Sequence, residues 1–295
     1  MSPFLVTFLV ALGLLMLIYV VLLFGLSWFM LHPWRLPHYL SPRSVDLPQE
    51  RVEFKSSDDI TLRGWWIDHP NPTSVALLCH GYFMNRGEGI PLAVQLHKAG
   101  ISCFCFDFRA HGTSGGKRTS IGWVERLDVV AAMAVVRERY PEVKVWVWGS
   151  SMGGAASTLA IQVEHMPADA LVLDSAYATL HEASSGWWHT FLGKRFVWLL
   201  SPVWWVSWKI TGIDPRTVSV EAALRSVEIP VLFLHGDRDV IAPKAILERN
   251  LAATANASQR VFSGAGHGQS RIIYPDEYDA ALFEFLEQNG LINRT

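Results

Sequence analysis

The chain has 295 residues, and its 25 lysines and arginines nearly balance its 27 aspartates and glutamates, which gives a formal net charge of -2. Apolar residues make up 50% of the sequence and charged residues 18%, a composition that excludes intrinsic disorder and is unsuited to binding nucleic acid. Three cysteines are too few for a disulfide scaffold. One or two globular domains remain, with or without a membrane segment.

The N-terminus carries a long apolar segment. Residues 4–31 contain no Asp, Glu, Lys or Arg, and about 20 apolar residues suffice to cross the hydrocarbon core of a bilayer. Trp28, Trp34 and Arg35 are typical of an anchor at the membrane interface. A cleaved signal peptide is the alternative, but it requires a basic start, a shorter apolar core and a small-residue cleavage site. This segment has none of these three features. We therefore predict a single-pass transmembrane anchor in residues 1–31, which contacts the bilayer through residues 4–31.

The charges around this segment predict its orientation. Arg35, Arg43 and Arg51 follow the segment, whereas no Lys or Arg precedes it. Because positively charged flanks are retained on the cytoplasmic side of a membrane, we expect the remainder of the chain to lie in the cytoplasm.

The sequence after the anchor has two parts. Residues 32–50 are rich in proline, which lacks a backbone donor, and are expected to form a linker or a collar on the membrane surface. In residues 51–295, short apolar runs alternate with helical stretches, which predicts right-handed βαβ crossovers and a mostly parallel sheet flanked by helices, an α/β fold. The predicted strands are 51–55, 60–67, 75–79, 103–106, 145–148, 170–173, 231–234 and 259–262, and the predicted helices are 91–99, 122–139, 151–164 and 274–288.

One insertion breaks this alternation. Residues 176–228 are too long for a plain crossover between two strands, so we predict a helical cap. The tryptophans of this insertion are compatible with simple packing of the cap and equally with a wall that binds acyl chains. They are Trp187, Trp188, Trp198, Trp204, Trp205 and Trp208.

The pentapeptide at 149–153, GSSMG, matches the pattern G-x-S-x-G. It follows the strand predicted at 145–148 and precedes an Ala-rich helix, and a sharp turn in that position exposes a serine hydroxyl above the sheet. Serine at its free pKa is a poor nucleophile and requires a base and an orienting carboxylate. Ser151 is therefore a candidate nucleophile.

Candidates for the base and the acid follow downstream. His267 lies in a Gly-rich loop after the last predicted strand, and Asp239 follows the strand at 231–234. The chain order Ser, Asp, His is the order found in folds with this type of turn. Asp237, two residues before Asp239, and Asp174, after the preceding strand, are rival candidates for the acid.

A tetrahedral intermediate also needs two aimed N–H donors. The backbone N–H of Met152, directly after the candidate nucleophile, is one candidate. The sequence His80-Gly81-Tyr82-Phe83 follows a predicted strand and offers the backbone N–H of Tyr82 as the second. We predict that Tyr82 and Met152 form an oxyanion hole.

With these residues in order, the chain resembles the α/β-hydrolase superfamily and, within it, the branch of membrane-anchored hydrolases similar to monoglyceride lipases and serine aminopeptidases. The resemblance extends over residues 51–290. It implies an α/β-hydrolase domain with Ser151 as nucleophile, Asp239 as acid and His267 as base. The motifs that carry it are HGYF (80–83), DFRAHGTSGG (107–116), GSSMGG (149–154), HGDRD (235–239) and GAGHG (264–268).

The expected function is a serine hydrolase that cleaves carboxylic esters through an acyl-enzyme. The anchor and the Trp-rich cap favour a lipid-like ester over other small-molecule esters as the substrate. A peptidase or amidase is the alternative, for which Glu182 and Glu221 are candidates to bind a substrate amino terminus. A membrane-tethered binding module with a silent triad is a third possibility.

Motifs for other chemistries are absent from the sequence. It contains no H-E-x-x-H, no paired C-x-x-C and no P-loop pattern. We therefore expect no metal, no cofactor and no nucleic-acid partner, and the sequence leaves the oligomeric state open.

Overall fold

The computed structural model describes residues 1–193 and 195–292. Lys194 of the predicted cap and residues 293–295 of the predicted hydrolase domain lie outside the described residues. Eight strands form one sheet: β1 (Glu50–Lys55), β2 (Thr61–Ile67), β3 (Ser74–Cys79), β4 (Ile101–Asp107), β5 (Val145–Ser150), β6 (Ala170–Asp174), β7 (Val231–Gly236) and β8 (Ala257–Phe262).

The strand order in the sheet is β1-β2-β4-β3-β5-β6-β7-β8. The pairs β1–β2 and β2–β4 are antiparallel, and all later pairs are parallel. The prediction of a mostly parallel α/β sheet is confirmed. Each predicted strand coincides with an observed one, with ends that differ by at most two residues. The central strands β3 to β7 are buried along their whole length, as short apolar runs require, whereas the edge strands β1 and β8 are largely exposed.

Helices pack on both faces of this sheet. Successive side chains of β3 point to opposite faces, so that Leu77 joins the core beneath one layer of helices and Leu78 joins the core beneath the other. The helices are α1 (Pro3–Leu31), α2 (Ile90–Lys98), α3 (Arg126–Arg139), α4 (Met152–Val163), α5 (Leu180–Leu192), α6 (Val197–Leu200), α7 (Pro202–Thr211), α8 (Val220–Leu224), α9 (Lys244–Ala253), α10 (Ser270–Ile273) and α11 (Pro275–Gln288). The layer over Leu77 contains α3, α4, α8 and α9, and the layer over Leu78 contains α2 and α11.

The prediction that a helix begins at Gly122 was wrong, because α3 begins only at Arg126. The buried carboxylate of Glu125 accepts hydrogen bonds from the backbone N–H of Ser120 at 2.9 Å and of Gly122 at 2.8 Å. These bonds hold the chain in a loop, and Gly122 has a backbone φ of +122°, which lies outside the helical region.

Helices α5 to α8 lie between β6 and β7, within the segment predicted as a cap. The N-terminal helix α1 packs against α7. Among the described residues, α1 is the one helix that is long and apolar enough to cross a membrane. The division of the chain into anchor (1–31), linker (32–50) and hydrolase domain (51–295) stays a prediction.

Candidate active site

Ser151 lies in a strained turn between β5 and α4. Its backbone φ is +45° and its ψ is -106°, a conformation that residues with a Cβ atom rarely adopt. A Cβ atom at Gly149 would lie closer than 3.0 Å to the backbone of Gly154, and one at Gly153 closer than 3.0 Å to the carbonyl group of Cys79. The two motif glycines are therefore required sterically for this turn.

His267 joins the other two residues of the predicted triad. Its Nε2 atom is 2.8 Å from Ser151 Oγ, and its Nδ1 atom is 2.7 Å from Asp239 Oδ2. The three side chains come from loops that meet at the carboxyl edge of the parallel strands, where sites form in α/β sheets. In this geometry the imidazole can accept the serine proton while the carboxylate fixes the imidazole tautomer.

The surroundings of Asp239 aim its carboxylate at His267. The side chain of Asp239 is buried, and its Oδ1 atom accepts hydrogen bonds from the N–H groups of Ile241 at 2.9 Å and Ala242 at 2.8 Å. His235 Nε2 lies 4.0 Å from Asp239 Oδ2, but burial lowers the pKa of His235, which favours its neutral form. The Oδ2 atom is thus left to accept from His267.

The two rival acids bind other groups. Asp237 accepts a hydrogen bond from the N–H of Gly264 at 2.6 Å and so braces the loop that carries His267. Asp174 accepts from the hydroxyl of Tyr278 at 2.8 Å, and burial raises the pKa of Asp174. The structure therefore brings Asp239, and neither rival, into contact with the imidazole.

Glu88 is a partly buried acid at the site that the sequence patterns do not reveal. One of its oxygens accepts from the N–H of Gly81 at 2.7 Å, and the other accepts from the hydroxyl of Ser150 at 2.9 Å. Burial raises the pKa of Glu88. Glu88 therefore ties the loop that carries Tyr82 to the strand end before the nucleophile.

Tyr82 follows Gly81 in that loop, and Met152 is the first residue of α4. The N-terminus of α4 favours negative charge beside Ser151. The role of the Tyr82 and Met152 N–H groups as an oxyanion hole stays a prediction.

A cavity of about 500 Å³ opens in front of Ser151 and His267. Its size is typical of a site for small molecules. Of the six cap tryptophans, Trp187 lines this cavity. The end of α1, the segment after it and the cap supply part of its apolar wall, namely Met30, Leu36, Pro37, Tyr39, Leu40, Leu180, Ala183 and Trp187. Loops of the sheet supply further apolar residues, among them Met84, Ile121 and Ile241.

The segment after α1, residues 32–40, is attached to the loops of the site. We call it the juxtamembrane segment. The side-chain amide of Asn85 donates to the carbonyls of Leu36 at 3.1 Å and Pro37 at 3.2 Å, and the hydroxyl of Tyr82 donates to the carbonyl of Met30 at 2.6 Å. The guanidinium of Arg35 donates to the backbone carbonyls of His111, Gly112, Ser114 and Gly116.

Asp107, at the end of β4, is the buried acid beneath these contacts. Its carboxylate lies 3.1 Å from His38 Nε2 of the juxtamembrane segment and accepts from the N–H of Arg86 at 2.9 Å. Burial alone would raise the pKa of Asp107, but the hydrogen bond with His38 and the charges of Arg86 and His80 outweigh it and lower the pKa to about 2.

A mostly parallel eight-stranded sheet with a serine turn, a histidine and an aspartate at its carboxyl edge defines an α/β hydrolase. The sequence model of the family described as serine aminopeptidase, S33 (Hydrolase_4) matches residues 70–220. The chain therefore belongs to this family, and the resemblance found in the sequence motifs is confirmed.

Relatives with similar sequences extend over most of the chain. An uncharacterized protein of Mycobacterium tuberculosis is 27% identical over 252 residues, which cover 84% of this chain and 83% of that protein. An uncharacterized membrane protein of Saccharomyces cerevisiae is 24% identical over 262 residues, which cover 86% and 85% of the two chains.

A solved structure shows the same architecture. The esterase Pf2001 of Pyrococcus furiosus aligns with a TM-score of 0.72 and 27% identity over 88% of this chain and 98% of the esterase. The chain is thus similar in fold and sequence to a hydrolase described as an esterase.

The pKa of Asp107 gives a prediction for stability. A carboxyl group whose pKa falls from 3.8 to about 2 on folding stabilises the folded state near pH 7 by on the order of 2 kcal/mol. This contribution is complete above pH 4 and is lost as the pH falls towards 2. We expect Asp107→Asn to lower the free energy of unfolding at pH 7, and the gap between variant and wild type to shrink below pH 4.

Urea unfolding of the detergent-solubilised chain at pH 7 and pH 3 measures both effects. Glu248→Gln is the control, because this exposed side chain has only a weak ion pair and its loss should change stability by less than about 1 kcal/mol. A gap between Asp107→Asn and wild type that is equal at both pH values would contradict the assignment.

Proposed function

We propose that this protein is a serine hydrolase that cleaves lipid-like carboxylic esters through Ser151, His267 and Asp239. The observation that supports the proposal most is the continuous hydrogen-bond chain from Ser151 Oγ through the imidazole to Asp239, with distances of 2.8 and 2.7 Å. Ser151, at one end of this series of hydrogen bonds, lines a largely apolar cavity that an acyl group could enter.

In the proposed mechanism, His267 Nε2 takes the proton of Ser151 as Oγ attacks the acyl carbonyl carbon. The backbone N–H groups of Tyr82 and Met152 donate to the oxyanion that forms. His267 then protonates the leaving alcohol, and an acyl-enzyme remains on Ser151. Water releases the acid by the reverse path, while Asp239 stabilises the charged imidazole.

The location of the cavity supports a lipid-like substrate. Met30, at the end of α1, and Leu36 and Leu40 of the juxtamembrane segment form part of its wall. We propose that residues 4–31 anchor the chain in a bilayer, with the hydrolase domain on the cytoplasmic side. The anchor would then hold the cavity next to lipid and raise the local concentration of a lipid-like ester.

The carboxylates of the chain favour an ester over a peptide substrate. An aminopeptidase needs a free acid in its site to bind the substrate amino terminus. Glu182 and Glu221 both bind the guanidinium of Arg249 outside the cavity. The cavity acids Glu88 and Asp174 already accept hydrogen bonds from protein groups.

Labelling with a fluorophosphonate probe tests the proposed nucleophile. The probe reacts with a serine hydroxyl whose proton an adjacent base can take. We expect the full chain to be labelled at Ser151, and Ser151→Ala to lose the label. The matched control is Ser184→Ala, which should keep the label, since Ser184 lines the same cavity but the hydroxyl that contacts His267 is that of Ser151. Equal labelling of both variants would place the reactive group elsewhere.

A series of p-nitrophenyl esters tests the proposed substrate class. Each additional CH₂ group that is buried in the cavity contributes about 0.8 kcal/mol, so we expect kcat/KM to be at least about tenfold higher for octanoate than for acetate. The full chain must be used, because deletion of residues 1–31 would remove Met30 from the cavity wall.

The Ser151→Ala variant supplies the background rate in this series. A preference for acetate would refute the lipid-like substrate. Faster hydrolysis of leucine p-nitroanilide than of any ester would instead identify a peptidase.

A further inference from the structure

The anchor helix α1 is attached to the cap along its C-terminal half. The hydroxyl of Tyr19 donates to the carbonyl of Leu199 in α6 at 2.6 Å. The hydroxyl of Ser27, which is buried, donates to the carbonyl of Val203 in α7 at 3.0 Å. Leu23 packs in the same apolar cluster as Val203. Helix α6 and the first turn of α7 are therefore fixed beside α1, well before α1 ends.

The position of Tyr19 along α1 sets the depth of α6. Tyr19 precedes Leu31 by twelve residues, or about 18 Å at 1.5 Å per residue, whereas half of the hydrocarbon core is about 15 Å. If the membrane span ends at Leu31, α6 lies near the middle of the bilayer. If the span begins at Pro3 and uses about 20 residues, it ends near Leu22 and still includes Tyr19. In either placement, α6 is level with lipid.

The surface of the cap at this level is apolar and exposed. Trp198 is 68% exposed, Phe196 50% and Trp205 48%. On α1, Leu22 is 47% exposed and Phe24 53%. Exposed aromatic side chains of this size are costly in water, and here they extend the lipid-facing surface of the anchor.

The charges near this surface fit a lipid headgroup region. Arg195, four residues before Leu199, is exposed, and its long side chain can extend from the level of α6 towards the headgroups. The ammonium group of Lys209 lies 4.9 Å from the centre of the Trp208 ring and 5.5 Å from that of Trp205. Basic side chains beside tryptophans are typical of the boundary between acyl chains and phosphates, where long side chains extend towards the headgroups.

We propose that residues 195–206, which we call the cap tip, insert into the bilayer leaflet on the side of the hydrolase domain and bind phospholipid beside α1. This inference rests on the proposed anchoring through residues 4–31. A second copy of the chain is a weaker candidate for this surface, because the adjoining face of α1 itself requires lipid. Since Trp187 lines the cavity and Trp188 packs in the cluster between α1 and the cap, the insertion holds the cavity wall at the membrane.

Fluorescence quenching by lipid tests the proposal. The full chain carrying Trp198→Cys is labelled with bimane and reconstituted into phosphatidylcholine vesicles that contain nitroxide-labelled lipid. The native cysteines are buried and should stay unlabelled: Cys79, Cys103 and Cys105 are each 0% exposed. Leu15→Cys on α1 is the positive control, and Gln259→Cys on β8, which is exposed, is the negative control.

We expect the label at 198 to lose as much fluorescence as the label at 15, and clearly more than the label at 259. Quenching at 198 equal to that at 259, with strong quenching at 15, would overturn the insertion of the cap tip and leave the anchor intact. A second copy seated on the cap tip would give this same result. Weak quenching at all three positions would refute the membrane anchoring of residues 4–31 and, with it, the insertion of the cap tip. Fluorophosphonate labelling of Ser151 tests the hydrolase activity independently of both.

Discussion

The left-handed turn at Ser151 is the constraint on which the site depends. The turn is possible because Gly149 and Gly153 allow α4 and the end of β3 to approach within distances that a Cβ atom would prevent. The N–H of Ser151 also donates to the carbonyl of Asp174 at 2.8 Å, which ties the turn to the neighbouring strand. The hydroxyl is thereby held above the sheet edge, within reach of His267. Without this turn, the imidazole of His267 would have no serine hydroxyl from which to take a proton.

The sequence was sufficient for the parts of the molecule that local patterns encode. Buried strands are short apolar runs, and the serine turn needs glycine at two fixed positions, so both can be predicted from neighbouring residues. Glu88 could not be found in this way, because its partners Gly81 and Ser150 come together only in the folded chain. The helix predicted from Gly122 failed for a similar reason, since the hydrogen bonds of the Glu125 carboxylate outweigh the apolar periodicity.

The juxtamembrane segment shows where composition alone misleads. Its prolines indicate only that the backbone lacks donors, and they do not indicate what the segment contacts. In the structure, Arg35 binds the loop after β4, and Asn85 holds the backbone of Leu36 beside the cavity. The hydroxyl of Tyr82 adds a direct contact between the predicted oxyanion loop and the end of α1. Helix α1 and the site are therefore parts of one packed unit, and the position of the cavity follows from the position of the helix.

We propose that Asp239 acts on Ser151 through His267, and Asp237, two residues earlier, provides a matched comparison. In Asp239→Asn the shape is retained but the carboxylate that fixes the imidazole tautomer is lost, so kcat for ester hydrolysis should fall on the order of 10³- to 10⁴-fold. In Asp237→Asn the oxygen that accepts from Gly264 can remain, so kcat should stay within about tenfold of the wild type. If Asp239→Asn keeps the wild-type kcat, Asp239 does not have this role.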